Sequence, residues 1–239
     1  MEPVALTNLM NRYYANLFAP VTAHGGIVSD IKGDAMLAIW RGDIPQKTLR
    51  TQACRAALDM HAALCPTSPT KEPSMLPTRI GLDFGPLTIG NVGAGQHYEY
   101  RAVGDTVNTA SRIEGLNKQL GTWVLASAAV VEGLDRFLIR PMGSFLLPGK
   151  SIPVKVVEII STYCDDGSLD QKIHLCRLFG NALALFQQRK WQQAETSFTA
   201  VLRVVPDDGP SLFYKRECVR KRTADTTASN DDVIHITDK

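Results

Sequence analysis

Three stretches of this 239-residue chain carry side chains whose type and spacing suit chemistry. In Gly25-Gly-Ile-Val-Ser-Asp-Ile-Lys-Gly-Asp-Ala-Met-Leu-Ala-Ile-Trp40, Asp34 follows Gly33 at a tight turn between two apolar runs. A carboxylate there is well presented, although Gly-Asp is also ordinary turn chemistry. In Arg79-Ile-Gly-Leu-Asp-Phe-Gly-Pro-Leu-Thr-Ile-Gly-Asn-Val-Gly-Ala-Gly95, glycines stand at 81, 85, 90, 93 and 95. Such density permits close backbone approach and exposed amides, suited to a phosphate, to a neighbouring chain, or simply to bulges and turns. It is not a Walker loop, because no Gly-Lys-Ser/Thr follows, and no Gly-x-Gly-x-x-Gly opens a helix. In the third stretch, Tyr98 to Asn117, Asn108 and Arg112 are four residues apart and so share one helix face. There an amide can hold a ribose and a guanidinium can brace phosphate oxygens, though such pairs also occur on solvated helices.

The elements that must position these groups follow from periodicity. Leu6, Leu9, Met10, Tyr13, Leu17 and Val21 predict an amphipathic helix over 4–22, stopped by Gly25-Gly26. Ile27 to Ile31 and Met36 to Trp40 predict a β-hairpin with Asp34 at its tip. Thr48 to Leu64 reads as a second helix, and the proline-rich Cys65 to Pro73 as a loop. Arg79 to Phe84 and Leu87 to Asn91 read as another strand pair, with Val92 to Gly95 as a glycine-rich turn. Thr106 to Gln119 reads as a helix, and Trp123–Ala126, Phe137–Ile139 and Val154–Ile160 as strands. Hairpins outnumber crossover helices, which predicts an α+β fold with an antiparallel or mixed sheet.

Near residue 165 the pattern turns helical, from Asp170 to Val219, broken at Gln188-Arg-Lys and Pro206-Asp-Asp-Gly-Pro. Ala182, Leu185, Ala194, Phe198, Val201 and Pro206 have the rhythm of one tetratricopeptide-like helix pair, which cannot bury its own face and must pack elsewhere. The expected division is 1–163, 164–222 and a polar, disordered tail over 223–239.

Composition excludes several classes. The net charge of +2 is nearly balanced, and the basic cluster Lys215, Arg216, Arg220, Lys221 and Arg222 suits a solvated helix face, so a nucleic-acid partner is not expected. Five cysteines without Cys-x-x-Cys or Cys/His spacing argue against disulfides and zinc, and fit a reducing cytoplasm. No apolar run is long enough for a membrane span, so no membrane contact by this chain is expected.

Taken together, Gly25-Gly26, Gly33-Asp34, Arg79-Ile-Gly-Leu-x-x-Gly85 and Val103-Gly-Asp-x-Val-Asn-x-Ala-x-Arg112 stand in the order and spacing of class III adenylyl and guanylyl cyclase catalytic domains. The resemblance covers about residues 4–160. Arg101 to Asn108, with Gly115-Leu-Asn-Lys-Gln-Leu-Gly121, looks most like bacterial receptor-type cyclases, whose parent proteins can be anchored to the inner membrane upstream. The resemblance implies a ferredoxin-like fold acting as a head-to-tail homodimer, with the active site at the subunit interface. It implies that Asp34 is one of two metal-binding aspartates for Mg²⁺ or Mn²⁺, that Asn108 orients the ribose and that Arg112 stabilises the transition state. Asp30, Arg101 and Gly33 fall at substrate-binding positions. The implied reaction turns a nucleoside triphosphate into a 3′,5′-cyclic nucleotide and pyrophosphate.

Two departures qualify this expectation. Family members carry an acidic Phe-x-Asp-x-x-x-Phe strand before the first helix, and none precedes Val4, so this chain is expected to cyclise poorly or to serve as an inactive dimerisation or regulatory module. Where adenylyl cyclases place a lysine, and an Asp or Thr, in the base-selecting pair, this chain has Asp30 and Arg101, a reversal that suggests a mutual salt bridge. ATP is the favoured substrate.

Overall fold

The computed structural model describes residues 2–64, 76–94, 97–163, 167–223 and 232–236. Helix α1 (Pro3–Ala23) leads to the hairpin β1 (Ile27–Lys32) and β2 (Ala35–Ile39), and α2 (Gln46–Leu64) follows. Next come β3 (Ile80–Leu82), β4 (Thr88–Ala94), β5 (His97–Val103), α3 (Asp105–Leu120), β6 (Val124–Ser127), α4 (Ala128–Val131), β7 (Phe137–Leu146) and β8 (Val154–Thr162). The chain ends with α5 (Leu169–Gln187), α6 (Trp191–Val204), α7 (Gly209–Thr223) and β9 (Ile234–His235).

The main sheet is mixed, as expected, in the order β3-β6-β8-β7-β9. Strand alternation divides the side chains between two cores. Leu125, Val156, Met142 and Phe145 face α3 and the C-terminal helices, while Val124, Ala126, Val157 and Ile159 face α1, α2 and α4. The helices α5–α7 therefore share a core with the sheet: Phe179, Phe186, Phe198 and Tyr214 are at most 1% exposed and lie in the same cluster as Phe145 and Leu116.

Three expectations need correction. The segments 79–84 and 87–91 do not pair with each other. Instead β3 runs parallel to β6 with Ile80 opposite Val124, and β4 pairs antiparallel with β5 with Thr88 opposite Val103. Val92 to Ala94 belongs to β4 rather than to a turn; Gly95 and the loop at 65–73 lie outside the described residues. Finally, the tail is not polar and free throughout. Ile234 pairs in parallel with Phe145 and is 2% exposed, because its apolar side chain completes the core beside β7.

One buried polar assembly fastens the helices to the sheet. Arg140 on β7 lies opposite Glu158 on β8, 2.6 Å from its Oε2, and also 2.6 Å from Oδ1 of Asp208 in the α6–α7 loop. Its guanidinium stacks over the Phe179 ring at 5.0 Å. Asp208 in turn accepts a 3.0 Å bond from the Ser211 amide, so a single carboxylate both starts α7 and ties it to the sheet.

Candidate active site

The hairpin tip is held by two tyrosines of α1. Tyr13 donates its hydroxyl to the Asp34 carbonyl at 3.3 Å and accepts a 3.0 Å bond from Thr78 Oγ1, while the Tyr14 hydroxyl donates to the Gly33 carbonyl. Gly33 adopts φ +64°, which a side chain would resist, so the turn presents Asp34 outward. Burial, first, and the Asp34 carboxylate raise the Tyr13 hydroxyl above its usual value, whereas the Thr78 bond lowers it.

Helix α3 carries the other candidates. Asn108 is exposed and Arg112 is half-buried one turn later. The Arg112 guanidinium lies over the β7–β8 loop, where a β-carbon on Gly149 would come within 3.0 Å of Nη2. Beside it, Lys150 forms an ion pair with Asp105 at the first residue of α3. Two cations thus meet an amide on one helical edge, and their positive charge suits phosphate oxygens.

Two side chains here escaped the sequence reading. Lys150 sits in a Leu-Pro-Gly-Lys turn far from the motifs, and only the fold brings it to α3. Glu114 on α3 feels the charges of Arg79 and Asp34: desolvation, first, and the Asp34 charge raise its carboxyl above the usual range, while Arg79 lowers it. Its place two residues after Arg112 was the available signal, and periodicity puts it on another face. Asp83 forms a further group with Ser127, whose hydroxyl donates to Oδ1 at 2.5 Å; burial raises the Asp83 carboxyl, and the Ser127 bond, Lys150 and others partly oppose it.

Asp30 and Arg101 form the expected ion pair, Nε to Oδ2 3.4 Å, joining β1 to β5 within one protomer. Among the described residues no hydrogen bond or ion pair links Asp34 to Asn108 or Arg112, and no group of three or more His, Cys, Asp and Glu side chains is placed to hold a metal ion. The carboxylates near the hairpin tip do not by themselves fit a pair of divalent ions, which take about six oxygen ligands each.

Residues 1–164 match the family described as the adenylate and guanylate cyclase catalytic domain. The chain belongs to this family. It is 35% identical over 163 residues to adenylate cyclase 1 of Rhizobium meliloti (strain 1021), covering 66% of this chain and 24% of that protein. It is 29% identical over 221 residues to the terminal-differentiation-specific adenylate cyclase of Dictyostelium discoideum, covering 89% of this chain and 10% of that one. The chain therefore spans a quarter or less of the length of both relatives. The structure of a bacterial light-regulated adenylyl cyclase superposes with a TM-score of 0.56 at 24% identity, covering 74% of this chain and 88% of the other. The guanylyl cyclase Cya2 gives 0.56 at 23% identity, with 68% and 83% covered. The fold is that of class III cyclases. The family uses divalent metal ions, and no helix among the described residues is long and apolar enough to cross a membrane.

Proposed function

We propose that residues 1–163 bind a nucleoside triphosphate, ATP in preference to GTP, for cyclisation in a head-to-tail homodimer, with α5–α7 as a helical appendage. A cytoplasmic setting, where nucleoside triphosphates are available, is part of this proposal. The observation that carries this reading is the edge of α3, where Asn108, Arg112 and Lys150 converge from a helix and the loop against it. Asn108 would orient the ribose so that its 3′-hydroxyl lies in line with the α-phosphorus, and Arg112 would stabilise charge as it grows on the phosphoryl oxygens and the departing pyrophosphate. Lys150 would neutralise charge on the phosphate chain once it exchanges Asp105 for substrate. Asp34 of one protomer would complete the site of the other, which accounts for its lack of any bond to the Asn108–Arg112 edge of its own chain.

The described carboxylates give no complete metal site, so no step is assigned to an ion here, and turnover by this chain is expected to be slow with either Mg²⁺ or Mn²⁺. Titration with ATP and GTP tests the reading. ATP should bind with the higher affinity, and Arg112→Ala and Asn108→Ala should each weaken it by roughly tenfold or more. A wild-type chain that is folded and dimeric yet binds neither nucleotide would overturn the proposal, and tighter binding of GTP would overturn the ATP assignment.

A further inference from the structure

The helix that bears Asn108 and Arg112 touches the C-terminal helices backbone to backbone. Its end is capped by Gly121, whose φ is +68°, and Gly209 at the start of α7 lies directly against that cap. A β-carbon built on Gly209 would stand 2.4 Å from the Leu120 carbonyl oxygen and 2.8 Å from Gly121 Cα; one built on Gly121 would stand 3.0 Å from Gly209 Cα. Neither neighbour is the pliable end of a side chain, so an added methyl must move a main chain.

The α7 side of this contact has little freedom to yield. Asp208, immediately before Gly209, is 6% exposed and ion-paired to Arg140 at 2.6 Å, and the wholly buried Tyr214 donates its hydroxyl to the Met142 carbonyl. Both anchors belong to β7, a strand of the main sheet. Nearer its start, α3 is held by the Asp105–Lys150 pair, by a 2.7 Å bond from the Thr106 hydroxyl to the Pro86 carbonyl, and by β3, where a β-carbon on Gly81 would stand 2.2 Å from the Ala110 carbonyl oxygen, so displacement at its C-terminal end is taken up against that second backbone contact beside Asn108 and Arg112.

We propose that Gly209 is a positioning residue for the nucleotide site: the α6–α7 corner, pinned to β7, fixes how far α3 extends and so where Asn108 and Arg112 stand. Relieving a 2.4 Å contact to an ordinary separation of roughly 3.5 Å requires a shift of about 1 Å. Arg112 lies nine residues from Gly121, about 13 Å along the axis, a distance over which an α-helix moves as a rigid rod. A displacement of about 1 Å at a reacting group can cost on the order of a hundredfold in rate. The α6–α7 corner thereby acts on the site through the main chain of α3.

The test compares the full chain with Gly209→Ala and with Val204→Ala, at the end of α6, 55% exposed and away from the α3–α7 contact. Hydrogen exchange of α3 amides, ATP affinity and thermal stability are measured on each. In Gly209→Ala, exchange at 105–113 should rise by roughly tenfold or more relative to β6 and β8, and the ATP dissociation constant by a similar factor. Val204→Ala should change neither. A folded Gly209→Ala protein whose α3 exchange and ATP affinity stay within about twofold of wild type would overturn the proposal. Should that variant fail to fold, Tyr214→Phe loosens the same corner without adding an atom; it should speed α3 exchange by roughly threefold to tenfold, and unchanged exchange would equally overturn the idea. The nucleotide measurement rests on the cyclase reading, but the exchange measurement does not: absence of ATP binding by wild type counts against that reading alone, while exchange still decides the role of Gly209.

Discussion

Replacing Arg140 by Met removes the one cation from a buried assembly and leaves two carboxylates behind. The Arg140 side chain is 5% exposed, and Glu158 and Asp208 are 13% and 4% exposed, so water cannot take over its two 2.6 Å ion pairs. Deleting one member of such a pair costs about 3–5 kcal/mol, most of it the uncompensated charge rather than the lost attraction. For a chain of this size each kcal/mol lowers Tm by about 2–4 °C, so a fall of roughly 6–20 °C is expected. The loss must also depend on pH. Burial already raises the Glu158 carboxyl above its ordinary value, with Arg140 pulling it down; without the guanidinium it rises further. A carboxyl raised in the folded state lends stability that is fully present below its unfolded pKa and is lost as pH climbs through the folded value. The deficit relative to wild type should therefore be larger at pH 8 than at pH 5. Thermal melts at both values provide the assay, with Arg140→Met/Glu158→Gln as a partner variant that recovers part of the loss at pH 8. A deficit below about 1 kcal/mol, or one that shrinks as pH rises, would refute the account.

Asn117 is fully buried, and its amide donates to the carbonyls of Ile80 at 3.0 Å and Glu114 at 3.1 Å while accepting from Thr122 at 2.9 Å. Asn117→Ala should cost about 1–3 kcal/mol, read by urea denaturation, because it orphans these groups where α3 meets β3. Burial pushes the thiols of Cys54 and Cys218 up to about 12, so mass-spectrometric mapping of thiol labelling at pH 8 should find both unmodified in the native protein and modified in denaturant. Asp30→Ala, which opens a 3.4 Å pair at the surface, should shift stability by less than about 1 kcal/mol yet alter the ATP-to-GTP affinity ratio, because it removes a carboxylate from a base-selecting position.

Local pattern made much of this fold readable. The three-to-four spacing around Tyr13 and Leu17 marked α1, and Gly33-Asp34 between apolar runs marked the hairpin, because both depend on neighbours within one element. Pairing between distant segments left no such trace. Ile80 to Leu82 is a three-residue strand whose partner lies beyond an intervening hairpin and α3, and a hairpin reading of its flanking glycines was the local alternative. β5 was hidden because His97, Glu99 and Arg101 interrupt its apolar residues, as in a strand with one polar side, and because it abuts the helix motif. β7 continues past Ile139 through register shifts near Pro141 and Gly143, residues that normally punctuate strands.

The candidate site divides in the same way. Asp34, Asn108 and Arg112 were legible because each sits in a contiguous motif, and the Asp30–Arg101 pair because reversed charges at two motif positions imply attraction. Lys150, Glu114 and Gly209 were not, since their meaning arises only where separate elements touch. Gly209 shows this most plainly: in sequence it belongs to a Pro-Asp-Asp-Gly-Pro break between helices, the commonest setting for a glycine. In the fold it is where the C-terminal helices press on the last turn of α3, at 2.4 Å from a carbonyl if it bore a methyl. A second backbone contact, that of Gly81 on β3 with Ala110 and Glu114 of α3, is equally silent in the sequence, so the place of the helix is set by two glycines whose contacts no local pattern marks.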